Sequence, residues 1–262
     1  MNPRVAPLLP AAANNTRIPL AVLTGLAVAT TVMACSSSPD KPTDAAPSAP
    51  LKPSVSAPAT PSAPAITDST KLAAALLAAR DLPAGFNPIA DPTQDPSAPS
   101  GPDADKPDKS HTDPAQCAAV LSPISDQQGG SAAHAVSRFT GPNFSSIDID
   151  AASYPSTGAA GAFAHVQDLF GSCLSYSGTD ADGIHVDYKL AGNDQPAAGD
   201  ASVSIRATTT SEGLTLISDV VVAVVGSTVV QISATGQQPI DPKVLTDVTV
   251  KQVDRLRGAP GM

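Results

Sequence analysis

Residues 183–190 read GIHVDYKL, and their alternation restricts what this chain can fold into more than any other feature. Ile184, Val186, Tyr188 and Leu190 fall on one side of a period-two pattern. His185, Asp187 and Lys189 fall on the other. A strand sends successive side chains to opposite faces, so this pattern places one face in a core and the other in solvent. ASVSIRATTT (201–210) repeats it, with Val203 and Ile205 inward and Arg206 on the polar side. LTLISDVVVAVVGSTVVQISAT (214–235) is two β-rich runs around Gly226-Ser227, a tight-hairpin signal. The C-terminal half is therefore expected to be a run of antiparallel strands.

The flanking segments are expected to supply helices and two further strands. DSTKLAAALLAARDLP (68–83) opens on capping residues, is rich in Ala and Leu, and stops at Pro83, which predicts a helix. PAQCAAVLS (114–122) predicts a short helix carrying Cys117. AHAVSRFT and FSSIDIDAASY predict strands, with Ile147 and Ile149 alternating against Ser146, Asp148 and Asp150. STGAAGAFAHVQDLFGSC (156–173) predicts a helix with Phe163, Val166 and Phe170 on one face, closing near Cys173. DPKVLTDVTVKQVDRLRG (241–258) has Pro242 in its first turn, basic residues late and Gly258 at its end, the layout of a terminal helix. The fold class expected is α+β: an antiparallel sheet with helices packed on one face.

The N-terminus speaks to location. Arg4 and Arg17 precede IPLAVLTGLAVATTV (18–32), an uncharged and mostly apolar run. A basic segment followed by an apolar one is the layout of a secretory signal peptide. The run falls short of the roughly 20 residues that span a bilayer, which argues against an uncleaved helical anchor. Val32-Met33-Ala34-Cys35 resembles the bacterial lipobox, with Met33 departing from the usual small residue. That resemblance implies a leader over 1–34 and a diacylglyceryl thioether on Cys35, because sulfur is the nucleophile in such a modification. Cysteine arithmetic agrees. The chain has three cysteines. Lipidation takes Cys35, and Cys117 and Cys173 are left to pair in an oxidising compartment.

Composition limits the partners. With Arg4 and Arg17 removed, 13 basic residues face 24 acidic ones. So acidic a chain lacks the phosphate-neutralising surface of a nucleic-acid binder, and no nucleic-acid partner is expected. Residues 35–67 are Pro, Ala and Ser with almost nothing to bury, which predicts a disordered tether without specific contacts. Residues 68–258 form one domain on this reading, followed by a short tail, 259–262. A second Pro/Asp-rich stretch, 87–114, is expected to be a long disordered loop within the domain.

Several features together resemble the PknH-type extracellular sensor domain of actinobacteria. They are the lipoprotein start, the Pro/Ala/Ser tether, LLAARDLPAGF (76–86), a cysteine before the first strand, a second at the end of the mid-domain helix, and the closing VVAVVGSTVVQISA hairpin followed by a helix. The resemblance covers about residues 68–258. It implies an α+β sheet with helices and a cleft that binds an extracellular ligand. The kinase domain has two disulfides and a tryptophan near a cysteine, whereas this chain has one available pair and no Trp. Site residues are therefore not carried over.

No sequence fingerprint of catalysis is present: no GxSxG, HExxH, P-loop or GxGxxG. No catalytic residue, metal site or cofactor is expected. The four histidines are scattered: His111 in the loop, His134 at a strand start, His165 beside Asp168 on a helix surface, and His185. Asp148 and Asp150 share a strand face and could hold a cation or move a proton; a solvated face is the plainer reading. Asp180–Gly183, DADG, lacks the later ligands of a calcium loop and reads as a turn. His185, Asp187, Lys189 and Arg206 form the best-defined candidate ligand face. The function expected is a membrane-anchored, extracytoplasmic, non-enzymatic binding or sensor module. Its ligand would be a small molecule, a lipid or a cell-wall component. The alternatives are an envelope lipid carrier, which needs a large apolar cavity, and a cell-wall enzyme without a recognisable motif.

Overall fold

The computed structural model describes residues 49–89 and 108–259, all within the unit Ala45–Met262. The leader, Cys35, the first part of the tether, residues 90–107 and the last three residues lie outside the described set. The elements are α1 (Ser69–Ala74), β1 (Asn87–Pro88), β2 (His111–Asp113), α2 (Ile124–Gln127), β3 (Ala133–Thr140), β4 (Ser146–Ser153), α3 (Gly158–Ser172), β5 (Ser175–Thr179), β6 (His185–Gly192), β7 (Ala201–Ser211), β8 (Leu214–Val225), β9 (Thr228–Gly236) and α4 (Pro242–Arg257). Cys117 sits in a 3₁₀ turn, Ala115–Ala119.

One sheet of nine strands runs β1-β3-β4-β9-β8-β7-β6-β5-β2, with every pairing antiparallel. The expected α+β class and the β8–β9 hairpin are both present. Val225 pairs with Thr228, and Gly226 takes φ +57° at the first central position, where primed turns require it.

Helices lie on both faces, where the alternation led us to expect one. On the first face, α1 and α4 cover Ile147, Ile149, Val221, Ala223, Val230 and Ile232. On the second, α3 and the Cys117 turn cover Val220, Val222, Val224, Val229, Ile205 and Leu190. The reason is legible in β8 itself. Val220–Val225 is uninterrupted apolar sequence, and a strand of that kind is buried on both sides.

Three other expectations need correction. The helix predicted over 68–83 ends at Ala74. Gln252 of α4, fully buried, accepts from Leu77 N at 2.9 Å and donates to Ala75 O at 3.0 Å. These bonds replace the next helical turn and draw Leu76 and Leu77 into the first core. The Pro/Asp-rich stretch 87–114 is not loop at its ends. Asn87–Pro88 adds the edge strand β1 against β3, and His111–Asp113 adds β2 against β5 at the opposite edge.

The third correction concerns the tether. Residues 49–66 are laid on the domain and bonded to it. Gly192 N donates to Ala49 O at 2.8 Å. Val55 exchanges two bonds with the Gln167 amide, N to Oε1 at 2.7 Å and Nε2 to O at 2.9 Å. Ser227 Oγ donates to Ala63 O, and Ile66 N donates to Ser153 Oγ. Leu51 and Ala57 pack against the second core and Ile66 is buried in the first. The strap approaches β6 so closely that a Cβ on Gly192 would run into Pro50 O. A Pro/Ala/Ser segment has little to bury, yet its extended backbone keeps its amides and carbonyls free for side chains of the domain.

The disulfide expected between Cys117 and Cys173 is formed, with Cα atoms 5.7 Å apart. It ties the turn before α2 to the end of α3. Among the described residues no helix is long and apolar enough to cross a membrane.

Candidate binding cleft

The second face of the sheet changes character along its strands. At one end, Val220, Val222 and Val229 lie under α3. Further along, the same rows become Ser218 on β8 and Gln231, Ser233 and Thr235 on β9. Asp148 and Asp150 continue the polar floor on β4, and Val136 and Arg138 on β3. The register sets these rows side by side: Val136, Asp150 and Gln231 in one, Arg138, Asp148 and Ser233 in the next. Leu121 and Pro123, leading into α2, wall one side of a cleft of about 210 Å³.

Asp150 is its most unusual member. The carboxylate is only 6% exposed. Its Oδ1 accepts from Ile124 N at 2.7 Å and so fixes the start of α2. Among the described residues its Oδ2, closed to solvent, has no hydrogen-bond partner, and Asp150 is one of the residues that line the cleft. Burial lifts this carboxyl to about 6, opposed by the Ile124 bond and reinforced by the nearby charge of Asp126. Asp148 is also pushed upward by burial, against a bond from Ser146 Oγ at 3.0 Å and the Arg138 charge at 3.8 Å. Tyr154 braces α2 from below, donating to Ile124 O and Gln128 O. Burial, followed by the charge of Asp150, raises its phenol to about 12. Gln127 donates to Ser122 O at 2.7 Å and lies 3.4 Å from Gln231 Oε1.

The solvated reading of the Asp148/Asp150 face therefore fails at Asp150. The alternation correctly placed both carboxylates opposite Ile147 and Ile149. It could not show that residues 121–124 fold over that face. Gln231 carried a readable signal, a polar side chain in the middle of TVVQISAT. Tyr154 and Gln127 carried none.

The structure also brings His185, Asp187, Lys189 and Arg206 to one face, the first, on β6 and β7. His185 and Asp187 are exposed and stand 3.3 Å apart. Arg206 is committed: its Nε and Nη2 reach the two oxygens of buried Asp219 at 2.6 and 2.8 Å. That bidentate pair leaves Arg206 less to offer an anion than the sequence suggested. His165 and Asp168 are exposed on α3. His111 lies on edge strand β2, bonded to Thr179. Asp180 Oδ1 accepts from Asp182 N and Ile184 N, making DADG a turn. No group of three or more His, Cys, Asp or Glu among the described residues could hold a metal ion.

A second, larger cavity of about 790 Å³ opens at the β3 edge. Leu76, Leu77, Ile89 and Phe139 line it with Arg80 and Arg255, and Ile89 is the last described residue before 90–107.

The architecture is that of a known extracellular domain. The crystal structure of the extracellular domain of PknH from Mycobacterium tuberculosis aligns with a TM-score of 0.52 at 14% identity, over 74% of this chain and 97% of that one. The X-ray structure of an uncharacterized protein of Mycobacterium smegmatis, the Rv0999 ortholog, aligns at a TM-score of 0.37 and 14% identity, over 73% and 97%. At such identity the likeness is one of fold, and the first of the two carries it: the chain has a PknH-like extracellular-domain fold, as its diffuse motifs indicated. No protein-family model and no curated protein matches the chain.

Proposed function

We propose that this chain is an extracytoplasmic, lipid-anchored, non-enzymatic binding domain whose ligand site is the cleft above Asp150. The observation that carries the reading is the Asp150 carboxylate, which lines the cleft and has a buried oxygen, Oδ2, with no partner among the described residues. Burying a carboxylate oxygen unpaired costs several kcal/mol, and such atoms in native folds call for a functional account. The fold shared with a receptor kinase's extracellular domain and the Cys117–Cys173 disulfide support an oxidising, extracytoplasmic setting. Cys35 is the anchor on this reading.

Titrating the protein with the low-mass fraction of an envelope extract, and following backbone amide shifts, tests the site. Shifts are expected at residues 121–127 and 231–235. Shifts confined to His185, Asp187, Lys189 and Arg206 would move the site to the opposite face. The lipid-carrier alternative rests on one observation, the 790 Å³ cavity with its apolar wall and arginine rim. Co-purified lipid in native mass spectrometry would favour it.

A further inference from the structure

We propose that the Asp150 cleft takes a small monocation, its ammonium group paired with the Asp150 carboxylate, an inference that rests on the cleft being the ligand site. The charge inventory points there. Asp148 stands 3.8 Å from Arg138, so those two charges largely offset each other. Asp126, behind α2, adds further negative potential at Asp150, and His134 and Arg138 on β3 oppose it. Asp150 is left as the carboxylate without a partner on its inward oxygen. An anion placed there would meet a buried like charge. A metal ion would find Asp148 as a further carboxylate but no third His, Cys, Asp or Glu ligand among the described residues. An ammonium supplies three donors and one positive charge, and charge-assisted bonds are about twice as strong as neutral ones.

The rest of the cleft fits the body of such a ligand. Ser233 and the hydrogen-bonded pair Ser218 and Thr235, 2.8 Å apart, present hydroxyls along one side. Gln231 adds an amide. A volume of about 210 Å³ admits one sugar-sized or amino-acid-sized molecule and excludes an acyl chain of envelope length.

Charge also sets the pH dependence. Asp150 must be ionised to hold a cation, and its carboxyl ionises near 6. Affinity should then fall about tenfold from pH 7 to pH 5, following the ionised fraction. The titratable and charged groups facing Asp150 are Asp126 from α2, His134 and Arg138 from β3, Asp148 from β4, and Tyr154 just beyond it.

Saturation-transfer NMR on the full protein in detergent micelles tests this with glucosamine, which carries an ammonium, against glucose, of nearly the same size, and the larger N-acetylglucosamine, which do not. Ethanolamine serves as a second cation. Glucosamine is expected to bind at least tenfold more tightly than either neutral sugar. D150N keeps an acceptor for Ile124 N and should bring glucosamine down to the level of glucose. S233L, which puts a larger side chain on the cleft floor in the row of Asp148, should abolish binding of every probe. H134Q should leave the pH dependence in place. Equal binding of glucosamine and glucose, or glucosamine binding unaffected by D150N, overturns the cationic assignment; loss of that binding in S233L would still keep the cleft as the site. Binding of all probes undiminished in S233L overturns the cleft itself. Absence of saturation for both ammonium probes overturns the cation.

Discussion

Asp150 should cost the fold stability at neutral pH. A carboxyl whose folded value is raised binds its proton more tightly in the native state, so stability falls as pH rises through the interval between the unfolded and folded values. For Asp150 that interval runs from 3.8 to about 6, the cause being burial. At roughly 1.4 kcal/mol per unit, the ionised form costs about 2–3 kcal/mol at pH 7 and nothing below about pH 3. D150N is therefore expected to be more stable than the wild type at pH 7, by about 1–3 kcal/mol in urea titrations, with the gain gone at about pH 3. A variant less stable than the wild type at pH 7 would mean that the bond to Ile124 N, and not burial, governs this residue. A carboxylate that weakens its own fold while facing a cleft is what a binding role would retain.

Among the elements, the strap over 49–66 is the least expected and the most open to test. The Gln167 side chain bonds Val55 on both its amide and its carbonyl. In hydrogen exchange, Q167A should release the Val55 amide by a factor of roughly ten, the loss of about one net hydrogen bond. Ile66, held by Ser153 Oγ, should keep its protection. Unchanged exchange at Val55 would show that packing of Leu51 and Ala57 alone holds the strap.

Strands β6 and β7 were legible because one residue in two declared a face, and β8 and β9 from their β-rich runs around Gly226-Ser227. So was α4, from Pro242 and Gly258. The strap was not, because its hold depends on backbone bonds to Gln167, Ser153 and Ser227, far away in sequence, and not on its own composition. The edge strands β1 and β2 were hidden for the same reason: two or three residues borrow their conformation from a neighbouring strand. At the site, Asp148 and Asp150 were visible as a pair on one face. The cover that turns one of them into a buried acid comes from residues 121–124, whose sequence carries no such signal.

On the scale of the whole molecule, the strap shortens the stretch of chain between Cys35 and the domain. If Cys35 bears the lipid, 14 positions separate it from Ala49, at most about 50 Å of chain. The sequence reading of a tether running to residue 67 would have allowed about twice that. The anchor itself is open to a simple partition. C35A is expected to move from the detergent phase of Triton X-114 to the aqueous phase, since two acyl chains give stable anchoring and none gives none. An unchanged partition would leave Cys35 without its assigned role.

The central claim is that a ligand fills the cleft at Asp150, and the Ile124 amide reports on it directly. That amide is held by Oδ1 of Asp150, a residue that lines the cleft. Its hydrogen exchange, measured in the full protein with and without the low-mass envelope fraction, should slow severalfold when the carboxylate is clamped from both sides, and the slowing should vanish in S233L. Exchange at Ile124 that is the same with and without the extract would contradict the account.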